Sequence, residues 1–544
     1  MMKKLISFIL ALVMLFGVVA PAVFAQEMAV EPTVDPADKN PIIYIRGNGN
    51  PIYDNYGYQS FPLSVETDEM ISSLVDSLGD DFLKAVTLGK WDDYYAAFET
   101  EFAKFYEGCA LDENGNIANN SGIANLCYDI NNTNMNSDYT NADGNSDLFD
   151  YVFWYDWRLD PFEIADQLEN YIDHVLAATG AKKVSLVGKC LGGSFVLAYL
   201  AEYGGNKIRR VAFDCTTGGG CEKGSDLYSG KAYVDFEAME RHYVDSDYLV
   251  YKSDSEKITD DFVEASLDLI NESDRLKLSE KTVNGIYKLL SEQLTPRLCM
   301  ASYGRWPGYW TNIKKDSYEE AKKLMFYGKV PENAEKYKGL IEKLDKYDKK
   351  VRQRIPELLK SVEAQGVNFG VLAKYGYQIS PLIESRDMLG DALVSLEAST
   401  FGATCSKVYD TLSDSYIAKQ ESANLGKYIS PDKQVDASTC VFPDSTWMIK
   451  GMVHENWAEC NDNLIYMICT SKEPMTVSSS EKYPQFMVYD PVADDIYPMT
   501  ADNIDKTKWD AVDIREHTWE KFINALKAWF EALKALIENR NENK

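Results

Sequence analysis

The chain alternates between short apolar runs and longer stretches in which apolar residues return every three or four positions. "PIIYIRGNG" (Pro41 to Gly49) and "LFDYVFWYDWR" (Leu148 to Arg158) are β-rich runs, the first ending in glycines. "DPFEIADQLENYIDHVLAATGAKK" then sets Ile164, Leu168, Ile172, Val175 and Leu176 at helical spacing, behind an N-cap candidate at Asp160 and a proline at the first helical position. "VSLVG", the helical "GGSFVLAYLAEYG" and the β-rich "IRRVAFDCT" continue the alternation. Strands separated by helices predict an α/β protein, a mostly parallel sheet flanked by helices on both faces.

From about Cys221 to Gln365 the pattern changes. "DDFVEASLDLIN", "SYEEAKKLMFYG" and "NAEKYKGLIEKLDKYDKKVRQRIPELLKSVEAQ" are charged and helix-like, which predicts a large helical cap insertion between two strands of one sheet. Strand signals resume at "VNFGVLAKYG" (Val367 to Gly376) and "STWMIKGMV" (Ser445 to Val453). A helix near "NDNLIYMICTS" and a hairpin in "QFMVYDPVADDIYPM", turning at Asp490 to Asp495, follow. The tail "HTWEKFINALKAWFEALKALIENR" keeps Trp519, Phe522, Ile523, Leu526, Trp529, Phe530, Leu533, Leu536 and Ile537 on one face. Core packing, peripheral membrane contact and a protein partner all use such a face. The domain reading is therefore a leader at 1–25, core halves at 26–220 and 366–480, a cap at 221–365, and a hairpin with an amphipathic helix at 481–544.

Composition narrows the function classes. A 544-residue chain with 45% hydrophobic and 12% aromatic content can bury a large core, which excludes a disordered protein. "MMKKLISFILALVMLFGVVAPAVFAQE" pairs Lys3 and Lys4 with an apolar run and a small-residue cleavage site, so a secreted or extracytoplasmic protein cleaved near Ala25 is expected. An uncleaved membrane anchor is the alternative, and no later segment is apolar for long enough to span a bilayer. Loss of the two leader lysines moves the formal charge from −29 to −31, a surface that repels nucleic acid. Ten cysteines without a CxxC pair or an HExxH motif give no zinc site. Cys215 and Cys221 flank "TTGGG", and Cys440, Cys460 and Cys469 lie close in sequence, which leaves room for a disulfide or two. The Asp/Asn-rich stretch from Asn131 to Asp150 lacks the register of a calcium loop and reads as a solvated loop. No metal and no cofactor are expected.

The chemistry concentrates in Gly188-Lys189-Cys190-Leu191-Gly192-Gly193, between a strand and a helix. A nucleophile on such a sharp corner needs glycines two residues to either side, where side chains would collide. The first turn of a helix also favours thiolate over thiol. A phosphate loop is excluded, because Lys189 is followed by cysteine rather than Ser or Thr and position 183 is Lys183 rather than glycine.

GxCxGG in this setting resembles the nucleophile elbow of the α/β-hydrolase superfamily, in the cysteine form of dienelactone hydrolases and polyhydroxyalkanoate synthases. "YDWRLDP" (Tyr155 to Pro161) resembles the YDWR segment of lecithin:cholesterol acyltransferase-like lipases, and "GDALVSLEAS" (Gly390 to Ser399) resembles their GDGxV acid loop. The matches cover roughly Pro41 to Cys215 and Val367 to Cys460. Cys190 stands where those lipases have serine, and Ala392 where they have glycine.

The resemblance implies an α/β-hydrolase fold and a triad in the chain order nucleophile, acid, histidine. Cys190, Asp391 and His454 fit that order, with Asp387 and His517 in reserve, whereas His174 and His242 fall outside it. Asp391 has a second reading, as a helix cap before "ALVSLEAS". The oxyanion donors are expected at the Leu191 N–H and at Asn48 in "RGNGN". Arg46 reads as a salt-bridged arginine or a contact for an acidic substrate group, and Asp156 with Arg158 as a buried ion pair. The implied activity is ester hydrolysis or acyl transfer on a small acyl ester or lipid-like substrate, through an acyl-thioenzyme. The aromatic "YGRWPGYW" (Tyr303 to Trp310) would line its pocket, or simply pack in the core. An inactive hydrolase-fold protein that binds an apolar ligand, and a surface protein assembling through its tail, are the other readings; the oligomeric state stays open.

Overall fold

The computed structural model describes residues 40–504 apart from 48–50, 55, 57, 62–66, 119–120, 124–148, 150, 236–237, 239–240, 242–279, 329–333, 457 and 492. The leader, nearly all of the Asn131 to Asp150 stretch, "DDFVEASLDLIN", Asn48, His242, and the tail with His517 lie outside the described residues.

Eight strands form the main sheet: β1 (Ile42–Ile45), β2 (Tyr151–Phe153), β3 (Val184–Lys189), β4 (Ile208–Asp214), β5 (Asn368–Tyr375), β6 (Thr446–Lys450), β7 (Phe486–Asp490) and β8 (Asp495–Pro498). Their order is β2-β1-β3-β4-β5-β6-β7-β8, and all neighbours run parallel except the final β7–β8 hairpin. Central strands of such a sheet are covered on both faces and so read as continuous apolar runs rather than alternating ones; every residue of β3 is buried.

The helices used below are α1 (Thr67–Leu88), α2 (Trp91–Tyr106), α3 (Pro161–Thr179), α4 (Gly192–Tyr203), α5 (Glu222–Tyr228), α6 (Glu280–Ala301), α7 (Tyr318–Phe326), α8 (Lys338–Lys350), α9 (Ile355–Glu363) and α10 (Glu459–Thr470). Ile43 and Ile45 of β1 pack with α3 and α4 residues on one face, while Ile42 and Tyr44 pack with Leu464, Ile465 and Ile468 of α10 on the other. The start of α3 is as the sequence predicts. The Asp160 carboxylate accepts the Phe162 N–H at 3.0 Å, Pro161 is the first helical residue, and Gly180 at φ 70° ends the helix.

Residues 221–365 lie between the paired strands β4 and β5, and their last helices, α8 and α9, lean on α4 over the sheet. A second helical element stands between β1 and β2, in a stretch assigned above to the core. There α1 and α2 form a hairpin, and α2 buries Tyr94, Tyr95, Phe98, Phe102 and Tyr106 on a face packed against α6. A buried ion pair fastens this element to the exit of β2. Arg158 grips Asp156 with two hydrogen bonds of 2.9 and 2.6 Å and donates to Cys109 O, Ser121 Oγ and Ser121 O. The nine described cysteines are all free, so the disulfides that the spacing left room for are not formed among them.

One feature of the topology positions the site. After β1 the chain crosses to β2 on one side and later to β3 on the other, which opens a crevice at the carboxyl ends of β1 and β3.

Candidate active site

Cys190 follows β3 directly, at φ 50°. For a residue with a Cβ this left-handed conformation is strained, and the surroundings hold it there. The Cys190 N–H donates to Asp214 O at 3.0 Å, and its carbonyl accepts the N–H groups of Gly193 and Thr217, both at 3.1 Å. The flanking glycines are sterically required. A Cβ on Gly192 would stand 2.1 Å from Ile45 O, and one on Gly188 2.9 Å from Gly193 Cα. Gly47, at the end of β1, faces the nucleophile: a Cβ there would be 2.9 Å from Cys190 Cβ and 3.4 Å from the Leu191 nitrogen. The Leu191 N–H makes no hydrogen bond among the described residues, so a donor stands free beside the thiol. Asn48, expected as the second donor, lies outside the described residues.

Asp391 and His454 come from the loops after β5 and β6, and the fold brings them together. His454 Nδ1 and Asp391 Oδ2 are 2.8 Å apart, with the carboxylate fully buried and the imidazole 4% exposed. The His454 N–H also donates to Asp391 O at 2.9 Å, so backbone and side chain join the same two residues. Oδ1 accepts the N–H groups of Leu393 and Val394 at 3.1 and 2.7 Å. The helix that follows is capped by Ser395, which disposes of the helix-cap reading of Asp391. Ala392 sits at φ 74°, a conformation that favours glycine, the residue found there in the lipases that the acid loop resembles.

Two further buried charges hold these loops. Lys374 of β5 donates to Asn456 O at 2.7 Å and His454 O at 3.4 Å, beneath the histidine loop. Glu222, at the start of α5, accepts from the Ser395 N–H at 3.0 Å and the Ser395 hydroxyl at 2.5 Å, and pairs with Lys314 at 2.9 Å, clamping the acid loop to the insertion.

Burial pulls the His454 imidazole down, but the Asp391 carboxylate and the Cys190 sulfur raise it further, and it ends well above its ordinary 6.5. Nε2 makes no hydrogen bond among the described residues, and the Cys190 sulfur is near enough to contribute to the rise of the imidazole. Active-site bonds are commonly loose without substrate.

A narrow cleft opens beside Cys190 and Leu191, lined also by Thr217, Cys221, Lys223, Leu227, Tyr309, Asn312, Leu393 and Glu455. Of the "YGRWPGYW" aromatics, Tyr309 lines this cleft, whereas Trp306 and Trp310 are buried against Trp157 and Tyr228. Asp387, the reserve acid, pairs instead with Arg241 at 3.3 Å and Lys407 at 3.2 Å. His174 lies along α3, and Arg46 lies over the Trp154 ring. Sequence reasoning missed Thr217 and Lys223, although "TTGGG" follows β4 at the carboxyl edge of the sheet, where ligands of such folds bind.

Residues 127–230 match a family model described as alpha/beta hydrolase fold, a stretch containing α3, the elbow, β4 and α5. No curated protein matches the chain. With the mostly parallel sheet and its flanking helices, the match defines an α/β-hydrolase fold.

Two measurements follow from this geometry. Replacing Ala392 by glycine relieves the left-handed backbone, so the urea midpoint should rise by the equivalent of about 1 kcal/mol at unchanged slope; a lower midpoint would contradict the strain. The folded His454 value lies above the unfolded one, so the stability of its pairing is fully present below 6.5 and is lost as pH rises through the folded value. The unfolding free-energy gap between the parent and His454→Gln should therefore be larger at about pH 6 than at about pH 9. A pH-independent gap would contradict it.

Proposed function

We propose that the protein is an extracytoplasmic hydrolase or acyltransferase acting on acyl esters through Cys190, His454 and Asp391, akin to the lecithin:cholesterol acyltransferase-like lipases with sulfur in place of oxygen. The observation that carries this reading is the 2.8 Å contact between His454 and Asp391, on an imidazole that the nearby Cys190 sulfur also influences.

Each atom then has a task. With Nδ1 donating to Asp391, Nε2 accepts the thiol proton and is held as imidazolium by the carboxylate. The Cys190 sulfur attacks the ester carbonyl carbon, and the carbonyl oxygen gains negative charge beside the free Leu191 N–H. Collapse of the tetrahedral intermediate breaks the bond to the leaving alkoxide, which takes the proton from Nε2 and leaves an acyl-thioenzyme. Water or an alcohol, deprotonated by Nε2, then attacks the thioester, and the sulfur departs as the next cycle's nucleophile. The apolar side chains of Leu227, Leu393 and Tyr309 suit an acyl chain.

A binding protein that has lost turnover is favoured by one observation, the missing hydrogen bond at Nε2. Thiol reactivity separates the two readings. Burial pushes the Cys109, Cys221, Cys440, Cys460 and Cys469 thiols up to about 12. Iodoacetamide should therefore alkylate Cys190 well ahead of them, and His454→Gln should slow that reaction. Hydrolysis of p-nitrophenyl hexanoate should fall by roughly three orders of magnitude in Cys190→Ala. Equal, slow labelling with no hydrolysis would favour the binding protein, and parent-rate hydrolysis by Cys190→Ala would remove Cys190 from the chemistry.

A further inference from the structure

The cleft beside Cys190 is lined by polar groups that the protein leaves without partners. Thr217 Oγ1 and Asn312 Oδ1 are both buried and make no hydrogen bond among the described residues. The Lys223 amine borders the same cleft with no acid paired to it among the described residues, and Glu455, the acid in the lining, forms no ion pair with it. Burial draws the amine below its ordinary value, and only the Cys221 thiol acts against that. Buried polar groups are almost always satisfied, so the Thr217 hydroxyl and the Asn312 amide oxygen, left open beside the half-buried Lys223, call for a partner from outside the chain.

We infer that Thr217, Lys223 and Asn312 form a subsite for a carboxylate on the acyl ester substrate, at the end of the acyl group away from the scissile bond. The inference rests on the acyl-ester reading above and names its substrate class. A carboxylate only accepts hydrogen bonds, and it offers about four lone-pair sites to one ammonium, one hydroxyl and one amide. The amide turns its nitrogen to the ligand at no cost in shape, since its two ends are nearly isosteric. The lining holds one cation, Lys223, and one acid, Glu455, so it tolerates at most a single negative charge on the ligand. A phosphate dianion asks for more cations or a bidentate arginine, and the cleft holds no arginine among the described residues. The chain's formal charge of −29 adds a further bias against a dianion. Leu227, Leu393 and Tyr309 provide apolar wall for the methylenes that separate carboxylate from ester.

Esters of equal chain length test the subsite on the full chain. The ratio of kcat/KM for mono-p-nitrophenyl adipate to that for p-nitrophenyl hexanoate should favour the adipate in the parent. It should drop roughly tenfold or more in Lys223→Met, through KM, with part of the preference kept in Lys223→Arg. Thr217→Val, of nearly the same volume, should lower the ratio in the same direction. A parent that prefers hexanoate, or a preference that neither Lys223→Met nor Thr217→Val alters, overturns the subsite while leaving the Cys190 chemistry standing. If neither ester turns over, the catalytic reading fails and binding decides the subsite alone. By calorimetry, monoethyl adipate should bind the parent roughly tenfold more tightly than it binds Lys223→Met. Equal affinity, or displacement of monoethyl adipate by inorganic phosphate more readily than by acetate, overturns it.

Discussion

A buried carboxylate needs a partner, and in this chain the partner of Asp391 is His454. Fully buried, Asp391 has two backbone N–H groups on Oδ1 and the imidazole on Oδ2, so without the histidine half of its capacity would go unmet away from water. The loops after β5 and β6 therefore stabilise each other. The supports around them serve the same end: Lys374 holds the carbonyls of the histidine loop, and the Glu222–Lys314 pair holds Ser395 at the end of the acid loop. The Asp391 contact fixes the orientation of the His454 ring and leaves Nε2 as its unpaired nitrogen among the described residues.

The site also holds features that cost local stability, as several other positions among the described residues do. Cys190 and Ala392 both occupy left-handed backbone, and Thr217 and Asn312 leave buried polar atoms unpaired. Neither feature helps the fold; Cys190, Thr217 and Asn312 line the cleft, and Ala392 lies in the acid loop between Asp391 and the cleft residue Leu393. Strain and unmet hydrogen bonds persist where the surrounding framework is strong enough to impose them. Here the framework is the sheet with its two apolar faces, tied to the element between β1 and β2 by the Asp156–Arg158 pair.

How much of this could be read in the sequence depended on how local the cause is. The elbow was legible because its glycines answer to collisions within a few residues and across to β1, and the cap of α3 because Asp160 and Pro161 act on the helix they begin. Asp391 and His454 could be chosen from chain order and resemblance, since a strand-end loop puts each near the carboxyl edge of the sheet. The α1–α2 hairpin went unread despite the helical spacing of Tyr94, Phe98 and Phe102, because its position between β1 and β2 looked like core. Lys374, Glu222 and Lys223 carry no local signature at all. What distinguishes each of them is burial and the presence or absence of a partner far along the chain, which only the assembled fold decides. "YGRWPGYW" shows the same limit within eight residues: one helical turn, Pro307–Trp310, sends Tyr309 to the cleft while Trp306 and Trp310 go into packing.

The most direct measurement is to mix the full chain with excess p-nitrophenyl hexanoate, quench in acid within the first turnover, and weigh the intact protein and its peptides. The account predicts a single hexanoyl adduct on the peptide that contains Cys190, released by neutral hydroxylamine as a thioester is, and no adduct when Cys190 is alanine. Release of p-nitrophenol with no adduct at Cys190, or an adduct at another residue that accounts for the turnover, would contradict it.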